Sequence, residues 1–438
     1  MRKQRRGQLA LAHQGGYAQV KNSKEVVVRE NAAMSMPFGG DLLSEAIRLR
    51  IREAMTQIAN EEMDAALGAV HHERTENRRG YRHGSEERTL TTGSGKTTFN
   101  MPRAKLFVAG GVEQEWQSTM IPRYARRCRA VDAALLGMYF GGVNTRKVKQ
   151  AIRPLLRNSP LSKSAISRLI VRLKTYFEAW SRRSLAGEDV RYIYLDGICV
   201  RVRCGGKTES LPVLAAVGVR ADGEKVLLAL ELCGAESTSS WKGLIESLSA
   251  RGLRAPRLAV IDGNPGLTQA LAQAWPKTER QRCAVHKLRN LHDHAPKRHY
   301  DEIKDDFHTI VYAENYAAGY AAYEAFLRKW KRSCEGVARS LEEAGTELLA
   351  FYRYPQSQWK SLRTTNIIER INGEFRRRLK TQSSFPSEQS VLVLLFGLMA
   401  SGMIRMRRIE GHADMSKVSA LSEIRNEGQT EVRQLVAA

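Results

Sequence analysis

Tyr192-Ile-Tyr-Leu-Asp-Gly-Ile-Cys-Val-Arg-Val (192–202) is an apolar, β-branched and aromatic run that reads as a buried strand, broken by one carboxylate at Asp196. Burying an unpaired carboxylate is costly, so Asp196 either forms a turn with Gly197 or serves an ion. The runs 211–219 and 225–232 continue the β pattern, an amphipathic helix follows over 239–251, and Arg257-Leu-Ala-Val-Ile-Asp-Gly (257–263) closes the series with a second Asp-Gly at Asp262. Three strands, a helix and a fourth strand give an α/β order. In such sheets functional groups collect at the C-terminal ends of strands, where Asp262 sits. For either aspartate alone, a turn-forming Asp-Gly explains the residue equally well.

Outward from this core the chain changes character. Over 276–362 the strand signal fades and Trp, Tyr, His and charged residues recur at helical spacing, as in Tyr316 to Cys334, which predicts an inserted helical domain. Two helices are predicted after it, from Asn366 to about Lys380 and from Pro386 to about Arg408. Glu369 has an ordinary structural explanation, because Asn366 as N-cap would place it three residues on in a capping box. A dense basic face follows it, with Arg370, Arg376, Arg377, Arg378 and Lys380, suited to holding DNA beside a metal site. Glu374 competes with Glu369 by spacing.

Toward the N-terminus, residues 1–38 read as a basic flexible arm, and Leu42, Ala46, Ile47, Ile51, Ala54, Met55 and Ile58 mark an amphipathic helix over about 41–69. The Thr-rich stretch between Gly80 and Pro102 turns at Gly93-Ser-Gly and predicts a β-hairpin. Gly93-Ser-Gly-Lys-Thr resembles a phosphate-binding loop only superficially: the glycine required five positions before Gly95 is Leu90, and no hydrophobic strand precedes it. Residues 119–186 are helical with breaks at Gly141-Gly-Val-Asn-Thr-Arg-Lys-Val and near Ser159. There Thr145 and Ser162 can cap helices that carry Arg146, Lys147 and Arg168 early in their course, as in a helix-turn-helix, although an ordinary bundle with basic faces fits the pattern as well.

The net charge is +24, from 70 Lys plus Arg against 46 Asp plus Glu. This points to a large anionic partner, with nucleic acid first because neutralised phosphates release counterions. A membrane span needs about 20 apolar residues; the longest candidate, 391–404, is shorter and broken by Gly397, Ser401 and Gly402. The basic N-terminus lacks a secretory core, so a cytoplasmic, nucleoid-associated location is expected. Six cysteines without a CxxC pair fit free thiols. Cys283-x-x-His286, with His292, His294 and His299 beyond, invites a zinc reading, yet only one cysteine is available.

These pieces together resemble the Mutator-type transposases of bacterial insertion sequences, a group of the DDE recombinases. The resemblance runs from about Arg74 to Arg407. It rests on the order of Gly141-Gly-Val-Asn-Thr-Arg-Lys-Val, Tyr194-Leu-Asp-Gly, Val260-Ile-Asp-Gly-Asn-Pro-Gly-Leu, Gln281-Arg-Cys-Ala-Val-His-Lys-Leu-Arg-Asn and Thr364-Thr-Asn-Ile-Ile-Glu-Arg. It implies a ribonuclease H-like α/β catalytic core with an α-helical insertion, preceded by mainly helical DNA-binding domains. The corresponding units are 1–38 (arm), 39–118 (helix plus hairpin), 119–186 (helix-turn-helix-like), 187–275 and 363–410 (core), 276–362 (insertion) and 411–438 (a polar, mobile tail). It assigns Asp196, Asp262 and Glu369 as catalytic Mg²⁺ ligands, with Mn²⁺ able to substitute, and so demotes Glu374. Cys283 and His286 become structural residues of the insertion, and Trp241 is placed near the core. The implied partners are double-stranded DNA, both terminal inverted repeats and target, and a second copy of the chain, since two element ends must be held together. Asn264-Pro265 and the long basic arm depart from the family pattern without touching the triad. A DNA-binding regulator with structural carboxylates and a nuclease that cuts without joining are the alternatives.

Overall fold

The computed structural model describes residues 42–108, 111–143, 148, 151, 163–204, 206–380, 385 and 387–417. The arm 1–38, the residues 144–147 that include Thr145, Arg146 and Lys147, the break near Ser159 through Ser162, and residues 418–438 lie outside them.

The chain begins with α1 (Leu42–Leu67), whose Ala59, Met63 and Leu67 pack on a sheet of β1 (Gly80–Thr92), β2 (Gly95–Val108) and β3 (Val112–Glu115). The predicted hairpin turn falls at Gly93-Ser94, but the hairpin is longer than read and carries β3 as a third antiparallel strand. That strand, Val-Glu-Gln-Glu, is too short and polar to register as one. Its glutamates are held by Lys105 and Arg103 from β2. Two helices follow, α2 (Arg129–Phe140) and α3 (Lys163–Ser181), sharing a small core of Val131, Leu135, Ile166 and Leu169.

The central sheet is built from β4 (Val190–Cys204), β5 (Lys207–Arg220), β6 (Lys225–Leu232), β7 (Leu258–Ile261) and β8 (Glu279–Arg282), in the spatial order β6-β5-β4-β7-β8. The first three are antiparallel neighbours, while β7 and β8 run parallel to β4. Crossovers α4 (Thr238–Ala250) and α5 (Pro265–Ala274) link the parallel strands, as parallel pairing requires. Successive side chains of a strand point to opposite faces. Thus Ile193, Leu195, Ala259 and Ile261 meet Trp241, Leu244 and Leu267 of α4 and α5 on one face. Tyr192, Tyr194, Leu258 and Val260 meet Phe375, Leu394 and Phe351 on the other.

β8 lies within the stretch, from 276 on, where only helices were expected. Its sequence, Glu-Arg-Gln-Arg, is polar and gives no strand signal, yet it pairs with β7 and is stabilised by ion pairs from Arg280 to Glu347 (2.6 Å) and from Arg282 to Glu343 (2.9 Å). The insertion proper is helical: α6 (Ala284–Asp293), α7 (Tyr300–Val311), α8 (Tyr316–Ser333) and α9 (Glu335–Ala344), then 3-10 turns and a single helical turn, Trp359–Leu362.

α10 (Asn366–Leu379) and α11 (Glu388–Ala400) return to the sheet. α11 stops at Ala400, short of the predicted Arg408, because Ser401-Gly402 turns the chain with Gly402 at φ 72°; residues 403–409 are non-helical. The tail does not start free: Met415 is buried, and Gln358 donates to the Gly411 carbonyl at 3.1 Å.

Candidate active site

Parity along β4 places Asp196 on the same sheet face as Tyr192 and Tyr194. The strand runs on to Cys204 with Asp196 opposite Ala215 and Gly197 opposite Leu214, so Asp196-Gly197 is not a turn. In the parallel pairing Tyr192 matches Leu258 and Tyr194 matches Val260; the same offset, carried two residues on, brings Asp262 beside Asp196 across neighbouring strands. Such strands lie about 4.8 Å apart. Asp262 does open a turn: Gly263 takes φ 98°, a left-handed conformation, and a Cβ there would strike the Arg282 guanidinium. Asn264 caps α5 and donates its backbone N–H to Asp262 Oδ1 at 2.9 Å.

α10 lies over this face. Asn372 donates to Asp196 Oδ2 at 2.7 Å, and the Gly197 N–H donates to Oδ1 at 2.9 Å. Glu369 is one turn before Asn372 on the same stripe. The expected capping box does not form: Thr365, not Asn366, is the N-cap and its side chain caps no backbone N–H, so Glu369 falls at the fourth helical position and accepts from the Thr365 hydroxyl. Glu374 lies off this stripe and pairs with Arg377 at 2.8 Å.

Burial and the charge of Asp262 push the Asp196 carboxyl up to about 6, against the opposing pull of Asn372, the Gly197 N–H and His286. Asn372 is fully buried, and its Oδ1 has no partner among the described residues. Crowded carboxylates and an orphaned acceptor are what a bound cation relieves.

Cys283 and His286 meet the same helix start. The buried Cys283, first residue after β8, accepts from the Thr365 N–H at 3.3 Å and lies 3.2 Å from the Thr365 hydroxyl, whose one proton goes to Glu369. His286 Nδ1 lies 3.4 Å from that hydroxyl and 3.7 Å from Glu369 Oε1. Burial alone would raise the thiol, but hydrogen bonds from His286 and Thr365 outweigh it and hold Cys283 below the ordinary thiol range. Hydrogen bonding to Cys283 raises His286 against its burial, and the charges of Cys283, Glu369 and Asp262 add to that. Cys283, His286 and Glu369 offer ligand atoms within 4.8 Å of one another. Among the described residues no fourth His, Cys, Asp or Glu joins them, as a closed zinc site requires.

One carboxylate escaped the sequence reading. Glu236, in the loop after β6, lies against Gly197: a Cβ on that glycine would sit 3.0 Å from Glu236 Oε2. Burial and then the charge of Asp262 raise it, while the Trp241 indole N–H, close but outside hydrogen-bond geometry, lowers it. Its place just before the α4 N-cap Ser237 was the available signal. Trp241 itself is fully buried beneath it.

The basic residues do not share one face. At 100° per residue Arg376 continues the Glu369–Asn372 stripe, Arg378 points to the opposite side, and Arg370 and Arg377 lie between. Lys380 is exposed beyond the helix end. Arg168, exposed on α3, lines a cleft of about 1150 Å³ with Arg126, Arg129 and Arg172.

A family model described as "Transposase, Mutator family" matches residues 23–403. The chain belongs to the Mutator family of transposases. This transposase is 37% identical over 354 residues to the "Transposase for insertion sequence element ISRM5" of Rhizobium meliloti, covering 81% of this chain and 87% of the relative. It is 32% identical to the "Transposase for insertion sequence element IS406" of Burkholderia multivorans, covering 83% and 90%. It is 28% identical to the "Transposase for insertion sequence element IS256 in transposon Tn4001" of Staphylococcus aureus, covering 76% and 84%. A transposase acts on DNA. Among the described residues no helix is long and apolar enough to cross a membrane.

Proposed function

We propose that this transposase cuts the ends of its own element and joins the freed 3′-hydroxyls to target DNA at Asp196, Asp262 and Glu369. The observation that carries this is Asp262, just past the end of β7, standing close enough to Asp196 for its charge to raise that carboxyl, with Asn372 tying the Glu369 helix to Asp196 at 2.7 Å. The strand order β6-β5-β4-β7-β8, third-second-first-fourth-fifth in sequence, supports a ribonuclease H-like core.

The donor set suits Mg²⁺ or Mn²⁺, which favour carboxylate oxygens over sulfur. Two such ions held by these carboxylates would activate the attacking hydroxyl and stabilise the leaving oxygen of the scissile phosphate. The chain's own residues do the positioning. Asn372 and the Gly197 N–H fix both oxygens of Asp196, the Asn264 N–H orients Asp262, and Thr365, backed by Cys283 and His286, holds Glu369. Exposed arginines around the site, Arg376 among them, track the phosphates, and the basic cleft at Arg168 takes the terminal inverted repeats. Two ends must be held together, so the active form on DNA is at least a dimer.

The test is cleavage and joining of a duplex carrying the element's ends with Mg²⁺. Asp196→Asn should abolish both; retained cleavage would leave a DNA-binding protein whose carboxylates are structural. Cleavage without joined products would make it a nuclease.

A further inference from the structure

On the far side of α10 from Glu369 lies a cleft of about 700 Å³, between that helix, the start of β6, the turn Trp359–Leu362 and residues 403–410. Its stripe on α10 is Asn366, Ile367, Arg370, Ile371 and Glu374, which at 100° per residue lies roughly opposite the Thr365–Glu369–Asn372–Arg376 stripe. Six cations line it: Lys225, Lys360, Arg370, Arg405, Arg407 and Arg408. Its two carboxylates are taken, Glu410 by Lys360 at 3.0 Å and Glu374 by Arg377 at 2.8 Å, while Arg408 reaches Glu224 at 3.4 Å. Lys225, Arg370, Arg405 and Arg407 are left with no carboxylate partner among the described residues.

The segment bearing the arginines is held in place rather than loose. In Met403-Ile-Arg-Met-Arg-Arg-Ile, the buried Ile404 and Ile409 anchor both ends and donate their N–H groups to the Leu398 and Gly223 carbonyls, at 3.1 and 3.0 Å. Arg405, Arg407 and Arg408 stand exposed between these anchors. Lys225 is fixed by its 3.5 Å contact with the Arg408 carbonyl. Burial and the charge of Arg370 both disfavour its ammonium, with Glu410 opposing. Fixed, mutually repelling cations from three separate chain segments fit a run of phosphates better than a single anion, and Ile367 and Met406 offer an apolar floor for the sugars.

Resting on the DNA-cutting reading above, we propose that this cleft holds the sugar-phosphate backbone of the DNA being processed, on a track separate from the scissile phosphate. A helix is about 10–12 Å across with its side chains. At 3.4 Å per nucleotide, the two tracks are roughly three base steps apart.

The experiment measures binding of the full chain to a duplex of arbitrary sequence as salt is raised. Each phosphate contact removed lowers the slope of log K against log salt by about one. Arg405→Ala/Arg407→Ala should therefore flatten it by about two, with an unchanged melting temperature because both residues are exposed. Arg328→Ala/Arg332→Ala on α8 removes the same charge elsewhere and should leave the slope as it is. An unchanged slope in the first pair, or an equal fall in both, overturns the proposal. If that happens while Asp196→Asn still abolishes cleavage, the cleft is refuted and the catalytic reading stands. A wild-type chain that does not bind duplex refutes both.

Discussion

Asn372 and Asp196, 176 residues apart in the chain, are joined by a 2.7 Å hydrogen bond that ties the glutamate helix to the central strand. Hydrogen bonds to charged groups contribute about 1.5–3 kcal/mol. Asn372→Ala should lower stability by about 2 kcal/mol and cleavage by at least tenfold, as losing an orienting partner of a metal ligand does. Asn372→Asp separates charge from shape: its loss of stability at pH 7 should shrink at pH 5, where a protonated carboxyl can donate again. Chemical denaturation at the two pH values decides it.

Asp196 itself makes stability pH-dependent. Its carboxyl is pushed up to about 6 from an ordinary 3.8, so its contribution is fully present below the ordinary value and is lost as pH rises through 6. About two units correspond to about 3 kcal/mol. Relative to wild type, Asp196→Asn should gain about that much between pH 4 and pH 7 in metal-free buffer. Mg²⁺ at pH 7 should close the gap; a constant difference across the range would contradict the assignment.

Glu236 adds negative charge beside Asp262 at the lip of the site. Glu236→Gln should weaken Mn²⁺ binding about tenfold, as outer partners of a metal site do, with the fold unchanged. Calorimetric Mn²⁺ titration reads this without any activity assay.

Glu343 faces two nearly buried cations, Arg282 at 2.9 Å and Lys287 at 2.8 Å. Removing one partner of such a group leaves charge buried and unpaired, at about 3 kcal/mol or more. Glu343→Gln should lower the unfolding free energy accordingly, and adding Lys287→Met should restore part of it. Additive losses in the double variant would show that the groups are not coupled.

Metal analysis of purified protein should return no stoichiometric zinc. Cys283 is engaged by the Thr365 N–H, and among the described residues no fourth ligand closes the Cys283, His286 and Glu369 group. Bound zinc lost in Cys283→Ser would reverse that conclusion.

The strands β4 to β7 were legible because buried strands must be continuous apolar runs, and the aspartates stood out against them. β8 was not, because its charges are neutralised by Glu343 and Glu347, more than 60 residues away in sequence. Arg405, Arg407 and Arg408 were read onto a helix, which would have scattered them; only the turn at Gly402 turns them out together. The N-cap is Thr365 rather than Asn366, and its N–H goes to Cys283, a contact from 82 residues away that local spacing does not show. Glu369 is the clearest lesson: local spacing offered a capping explanation, and only the Asn372–Asp196 bond shows which way its helix faces.

The contacts between Cys283 and Thr365, and between the Ala284 N–H and the Arg363 carbonyl at 2.8 Å, close the insertion at its neck. The chain leaves the core and re-enters it at one point, so what lies between is, to the carboxylates, a closed loop whose length costs little: doubling it adds only about 0.6 kcal/mol of closure entropy. The loops between its outer helices could be lengthened without moving Glu369, whereas Glu343, Glu347 and Phe351 hold β8 and the sheet face and must stay. Those outer loops are thus where this transposase can change length at least cost to the strands and helix that carry its carboxylates.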